Sequence, residues 1–137
     1  MKLLIDTNVI MDVLTMREPH FESSAALLRS RIKTIKHYII ASQTTDIFYL
    51  LRRAGLDSQH AKEAVLRVIS EIEVISIMPE DVQKALASEM ADYEDALLAY
   101  RANRLKADYI VTRNVADFAL SPVPAITPTE YISNYTR

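Results

Sequence analysis

Short apolar runs alternate with longer amphipathic segments along the chain. Residues 2–5, Lys-Leu-Leu-Ile, read as a short buried strand that stops on Asp6. Residues 37–42 (HYIIAS), 73–77 (EVISI), 108–112 (DYIVT) and 123–127 (VPAIT) are the other strand-like runs. Between them, apolar residues recur at helical spacing. One helix is expected to open at Pro19 and run through Glu22, Ala26, Leu27 and Leu28 to about Ile32. A second, over 44–55, sets Ile47, Leu50, Leu51 and Ala54 on one face. Gly55, the only glycine, stands where a left-handed C-cap belongs. Asp57 or Ser58 caps a third helix to about Ile72, and Pro79 opens a fourth to about Met90. Residues 92–107 form a fifth, and Thr127 or Thr129 caps a terminal one with Pro128 near its start. The strands are continuous Ile/Val/Leu runs, which predicts an α/β protein with a parallel sheet covered on both faces.

A length of 137 residues fits one domain over 1–137, and 50% hydrophobic residues supply one sizeable core. No apolar run approaches the ~20 residues of a membrane span. The opening Met-Lys-Leu-Leu-Ile-Asp does not read as a signal peptide, because its apolar run is too short and ends in an acid. The absence of cysteine excludes disulfides and thiolate zinc sites, and it fits a cytoplasmic location. The net charge of −2 argues against a nucleic-acid coat protein, but it is unevenly spread. Residues 1–68 carry 10 Lys/Arg against 7 Asp/Glu, and residues 69–137 carry 6 against 11. An acidic cluster facing a more basic half suits a metal site beside a polyanion groove, and equally suits ordinary solvated helices.

In an open parallel sheet, ligands sit beyond the carboxyl ends of the strands. Asp6 ends the first strand, and Asp46 falls in the first turn of the helix after the second. Asp92, Glu94 and Asp95 open the helix before the fourth strand, with Asn114 and Asp117 just after that strand. Each has a bland reading. Asp6 serves equally as a helix cap, Asp46 as an acid at a positive helix end, Asp92 as an N-cap and Asp117 as a turn residue. Asp12 reads as a solvated helix-surface acid. The number of acids expected at one edge favours a site. Clustered carboxylates repel unless a cation neutralises them, and oxygen-only donors suit Mg²⁺ or Mn²⁺. His20, His37 and His60 are scattered, and one glycine cannot build a phosphate loop. Metal-assisted attack of water on a phosphodiester is the chemistry that remains.

The segments LIDTNVIMDVL, REPHF, TDIFYLLRR, DYEDALLAYRA and DYIVTRNVADF resemble, in order, the motifs of the PIN-domain ribonucleases, which include the VapC-type toxins. The resemblance runs from Lys2 to about Ile132. It implies a three-layer α/β/α fold with a central parallel sheet, and an acidic site that binds Mg²⁺ or Mn²⁺ and cleaves single-stranded or loop RNA. On it, Asp6 is the first acid and a metal ligand, supported by the Asn8 amide. Asp46 stands where the family usually has Glu, and its shorter side chain leaves direct ligation open. Asp95 matches the third acid, with Asp92 an additional acid on the same side by i,i+3 spacing. Many members have an acid at the position of Asn114; Asp117, three residues on, is the substitute considered for that fourth ligand. Thr112 resembles the hydroxyl beside it. Arg52, Arg53, Arg113 and Lys106 are the candidates to meet RNA, although the first two also complement a helix C-terminus and Arg113 can pair with an acid. The resemblance further implies an RNA substrate, a cognate antitoxin and a homodimer, with no membrane partner.

Three other functions remain in view. An RNA-processing nuclease without an antitoxin has the same site, and a neighbouring antitoxin reading frame separates the two. A phospho-acceptor signalling domain expects paired acids after the first strand and a lysine after the last, and residues 118–136 contain no lysine. An inactive PIN-like binding module would lack acids, whereas Asp6 and Asp95 are present.

Overall fold

A computed structural model describes residues 1–30 and 34–135. Five strands form one sheet: β1 (Lys2–Ile5), β2 (Lys36–Ile40), β3 (Glu73–Ile75), β4 (Tyr109–Val111) and β5 (Ala125–Ile126). Their order is β3-β2-β1-β4-β5, and every pairing is parallel. Seven helices surround it among the described residues: α1 (Thr7–Leu14), α2 (Phe21–Arg29), α3 (Ala41–Arg53), α4 (Ser58–Glu71), α5 (Pro79–Ala87), α6 (Tyr93–Leu105) and α7 (Pro128–Tyr135).

The two-residue period of the strands divides the core. Leu3 and Ile5 of β1, Ile39 of β2 and Val111 of β4 face one way, into a cluster with residues of α1, α2, α3, α4 and α7. Leu4, Tyr38, Ile40 and Ile110 face the other, onto α5 and α6. Small residues Ala96, Ala99 and Ala102 are fully buried on α6, which lets that helix lie close to the sheet. The expected three-layer α/β/α arrangement is therefore present. No described helix is long and apolar enough to cross a membrane.

The strand order fixes where a ligand belongs. The chain builds outward from β1 to β2 and β3, then returns to place β4 on the other side of β1. The winding reverses between β1 and β4, so a crevice opens there beyond their carboxyl ends. Ile5 pairs with Val111 in the last register step, which brings Asp6 and Thr112 to the lip of that crevice.

Several boundaries differ from the pattern's expectation, and side chains explain them. α3 begins at Ala41, not 44, because the Gln43 side-chain carbonyl accepts from the Ile40 amide at 2.7 Å and stops β2 there. Asp46 consequently sits in the second turn of α3, where a helix dipole does little for it. β3 stops at Ile75, since the Ser76 carbonyl accepts from Arg101 Nε at 2.6 Å. α5 ends at Ala87, where the Ser88 hydroxyl folds back onto the Ala85 carbonyl. Pro19 lies in the turn before α2, and the expected extension of that helix to Ile32 reaches residues 31–33, outside the described ones.

Other ends fall as expected. Gly55 has φ +108, with Gly55 N donating to Arg52 O and Leu56 N to Leu51 O, a Schellman closure of α3. Asp57 caps α4 through the His60 amide, and Thr127 caps α7 through the Glu130 amide.

Candidate active site

Asp6 follows β1 directly and stands at the N-cap position of α1, but its side chain makes no cap hydrogen bond there. Its Oδ2 instead accepts from the Thr112 hydroxyl at 2.8 Å and the Asn8 amide at 3.3 Å. Asn8 Nδ2 also reaches Thr112 Oγ1 at 3.3 Å, and Asn8 Oδ1 accepts from the Arg113 amide at 3.3 Å. The Asn114 amide donates to the same threonine oxygen at 3.0 Å. Asp6, Asn8 and Thr112 thus form one polar unit that ties the tip of β1 to the tip of β4. Burial pushes the Asp6 carboxyl above its ordinary range, against the pull of the Thr112 hydroxyl, the Thr7 amide and the Arg113 charge.

A second support comes from Gln43, which is buried at 3% exposure. Besides capping α3, it donates through Nε2 to the Ile5 carbonyl at 2.7 Å and the Thr7 hydroxyl at 3.2 Å. It fixes α3, and so Asp46, against the end of β1. Nothing in the hydrophobic pattern marks Gln43; the only signal is a Gln three residues past the end of a strand, where a capping side chain is useful.

Asp6, Asn8 and Gln43 line an open cavity of roughly 830 Å³, together with Asp46, Glu94 and Asp95. Asp95, in the first turn of α6, also lines an adjoining hollow with Asp92 and Asp117. Its carboxyl is pushed up to about 7, by burial first and then by the charges of Asp92, Asp6, Asp117 and Glu94. Glu94 is raised chiefly by the charge of Asp46, with burial, Asp92 and Asp6 adding to it. Asp46 is raised by burial alone. The acids therefore sense one another across the crevice, a cluster under electrostatic stress.

A family model described as the PIN domain matches residues 2–116. The chain belongs to the PIN-domain family. Its fold also matches solved structures. VapBC-1 of nontypeable Haemophilus influenzae gives a TM-score of 0.72 at 14% identity, over 94% of this chain and 99% of that one. A toxin–antitoxin complex from Klebsiella pneumoniae gives 0.71 at 20% identity, over 92% and 97%. VapC20 of Mycobacterium tuberculosis, a sarcin–ricin loop cleaving toxin, gives 0.64 at 11% identity, over 79% and 86%. Identities this low speak to the fold alone. No curated protein matches the chain.

Within this PIN domain the sequence candidates fall into groups. Asp6, Asn8, Asp46, Asp95 and Arg113 share the main cavity. Asp92 is the N-cap of α6, its Oδ1 accepting from the Asp95 amide at 2.9 Å, so its cap reading holds while it also borders the adjoining hollow. Asp117 sits on a 3-10 turn, Val115–Phe118, exposed but close enough to raise both Asp6 and Asp95. Thr112 is buried behind Asp6, and Asn114 is exposed beside it.

The basic candidates separate too. Arg53 lines the cavity with its guanidinium carbon 5.9 Å from the centre of the Tyr49 ring. Arg52 points instead to the Leu56 carbonyl at 3.5 Å and lines neither cavity. Lys106 is the left-handed C-cap of α6, eleven residues and so about 16 Å along the helix from Asp95; it lies away from the crevice. Glu94, expected at this edge as one of three acids opening its helix but given no role there, lines the main cavity, and the charge of Asp46 raises its carboxyl. Asp12 is not a solvated acid at all but is fully buried.

The donor set fits a hard divalent cation: carboxylates, an amide and, among the lining residues, no thiolate or imidazole. The elevated carboxyl of Asp95 fits as well, because a cation relieves the repulsion that raises it. Among the described residues, however, no three acids or imidazoles converge closely enough to hold an ion directly.

Proposed function

We propose that this PIN domain is a divalent-cation-dependent endoribonuclease acting on single-stranded or loop RNA, the toxin of a toxin–antitoxin pair. The observation that carries the reading is the convergence of Asp6, Asp46, Glu94, Asp95 and Asp117 on the β1–β4 crevice, with Asp95 raised to about 7. Such a cluster is costly without a cation and useful with one. Asp6 and Asp95 would hold Mg²⁺ or Mn²⁺, assisted by Asp46 and, from the adjoining hollow, Asp117, and a cation held there would supply polarisation of an attacking water and neutralisation of charge on the phosphate. Asn8 and Thr112 hold Asp6 in place from behind.

Support for RNA as substrate and for an antitoxin as partner comes from the proteins that share the fold, two of them toxin–antitoxin assemblies and one a toxin that cleaves the sarcin–ricin loop. On this reading residues 1–137 act as one domain, in the cytoplasm and as a homodimer. The test is cleavage of a labelled single-stranded RNA by the purified protein. Cleavage is expected with Mn²⁺ or Mg²⁺, none in EDTA, and none by Asp6→Asn, which keeps its circular dichroism spectrum. Wild-type cleavage by Asp6→Asn, or full activity in excess EDTA, overturns the reading. Co-expression of the adjacent reading frame tests the antitoxin: it should bind the protein and suppress its toxicity.

A further inference from the structure

Asp12 and Arg113 lie 101 residues apart in sequence and meet beneath the crevice. Arg113 Nε donates to Asp12 Oδ2 at 2.7 Å, and the Ser24 hydroxyl donates to the same oxygen at 3.4 Å. Asp12 is 0% exposed, and its Oδ1 has no hydrogen-bond partner among the described residues. A buried carboxylate is costly, and one arginine bond only partly satisfies it. Joining α1 to the loop after β4 does not by itself require this arrangement.

What it does achieve is to orient a guanidinium. Arg113 spends Nε on Asp12, while its two terminal nitrogens make no hydrogen bond to any described residue. Its side chain is 23% exposed and lines the same cavity as Asp6, Asp46 and Asp95. The other end of the residue is fixed as well, since its amide donates to Asn8 Oδ1 and its neighbour Thr112 bonds Asp6. Arg17 and Arg53 also line the cavity, but among the described residues neither is paired with a buried carboxylate. A guanidinium anchored through Nε presents a planar pair of donors, the geometry that a phosphate accepts. We infer that Arg113 grips a backbone phosphate of the RNA beside the acidic cluster, and that Asp12 is its positioning residue, acting through Arg113 without touching substrate. The inference rests on the ribonuclease reading and adds to it the residue that engages the polyanion.

Lysine separates this role from a structural ion pair. Lys at position 113 can pair with Asp12, but its single ammonium then has no second face for a phosphate. The experiment measures binding of a labelled single-stranded oligoribonucleotide in Mn²⁺ over a range of KCl concentrations, on an Asp6→Asn parent so that binding is read without cleavage. Arg113→Gln is expected to weaken binding about tenfold or more. It should also lower the salt slope by about 0.7, the loss of one phosphate contact on a single strand. Arg113→Lys should melt near the parent yet bind as poorly as Arg113→Gln. Asp12→Asn should weaken binding less, because the charge persists and only its placement is lost. Parent-like binding by Arg113→Lys overturns the inference, even if Asp12→Asn fails to fold. Should the parent bind RNA while both Arg113 variants match it, the inference falls and the ribonuclease reading stands. Should the parent bind no RNA and the wild type cut none, both fall.

Discussion

Replacing Asp95 with Asn should make the cation-free protein more stable while destroying its activity. The Asp95 carboxyl rises from 3.8 to about 7, so its charged form is disfavoured in the fold. At ~1.36 kcal/mol per unit, the ~3-unit rise sets an upper bound of about 4 kcal/mol on that penalty above pH 7. Asp95 is only half-buried, and solvent screening reduces the figure to about 2 kcal/mol. Asn forfeits about 0.3–1 kcal/mol of favourable interaction with the N-terminus of α6. The cap itself survives, because Asp92 accepts from the backbone amide of residue 95. The net expectation at pH 8 is a gain of about 1 kcal/mol or more. The sign depends on pH. A raised acid leaves the folded state holding a proton that the unfolded chain has released, so wild-type stability declines as pH climbs from about 4 to about 7 and then levels. Asn at 95 removes the share of that slope that Asp95 contributes. Urea unfolding in EDTA at pH 5 and pH 8, with both proteins side by side, reads the difference directly. An Asn variant that is less stable than wild type at pH 8, or a gap that does not change with pH, refutes the claim that the site is under electrostatic stress.

Millimolar Mn²⁺ should raise the wild-type melting temperature, by linkage worth ~2.7 kcal/mol at a hundredfold excess over Kd, and raise that of Asp95→Asn much less. Gln43→Leu orphans the Ile40 amide and the Ile5 carbonyl, each at a cost of about 1–3 kcal/mol, and should lower both the urea midpoint and cleavage by loosening Asp6 against Asp46. Asp46→Asn should leave residual cleavage where Asp6→Asn and Asp95→Asn leave none, and Asp117→Asn should be mildest, in one assay on matched RNA. Arg104 beside Asp81 holds that carboxyl below the usual range, so the pair contributes stability in full above about pH 4 and loses it as pH falls further. Asp81→Asn should therefore flatten the acid limb of the stability curve while leaving cleavage at neutral pH intact.

The sheet was readable because its information is local. A fully buried strand writes itself as an apolar run, and residues 3–5, 38–40 and 110–111 are such runs in the sequence and in the structure. Its edges were less readable because single side chains decide them. Ala41 and Ser42 carry no signal against extension of β2; the amide oxygen of Gln43, the next residue, ends the strand by accepting from the Ile40 amide. Ser76 leaves the ladder because Arg101, twenty-five residues later, takes its carbonyl.

The acids divide on the same principle. Asp6 and Asp95 were legible because strand end and helix start place them at the crevice whatever else surrounds them. Glu94 was harder, since its neighbour Asp95 fits the motif and only the position of α3 shows that Glu94 faces Asp46. Lys106 suggests a polyanion contact by its charge alone, and what the fold adds is that its left-handed conformation ends α6 at the far end from Asp95. Asp6 and Asp12 make the sharpest contrast. Both follow apolar residues, six positions apart, and by bland readings one is a helix cap and the other a surface acid. Their fates depend on partners more than a hundred residues away: the Thr112 hydroxyl for one, the Arg113 guanidinium for the other. Thr112 and Arg113 are adjacent, so β4 delivers both at once. Among the described residues, Asp6 accepts only from neutral donors, the Thr112 hydroxyl and the Asn8 amide, so its charge is not matched by a cationic side chain, while Asp12 accepts from a guanidinium that offsets its charge. The same two-residue step at the end of β4 thus decides which carboxylate on the β1–α1 segment faces the cavity unpaired with any cationic side chain and which is held by an arginine.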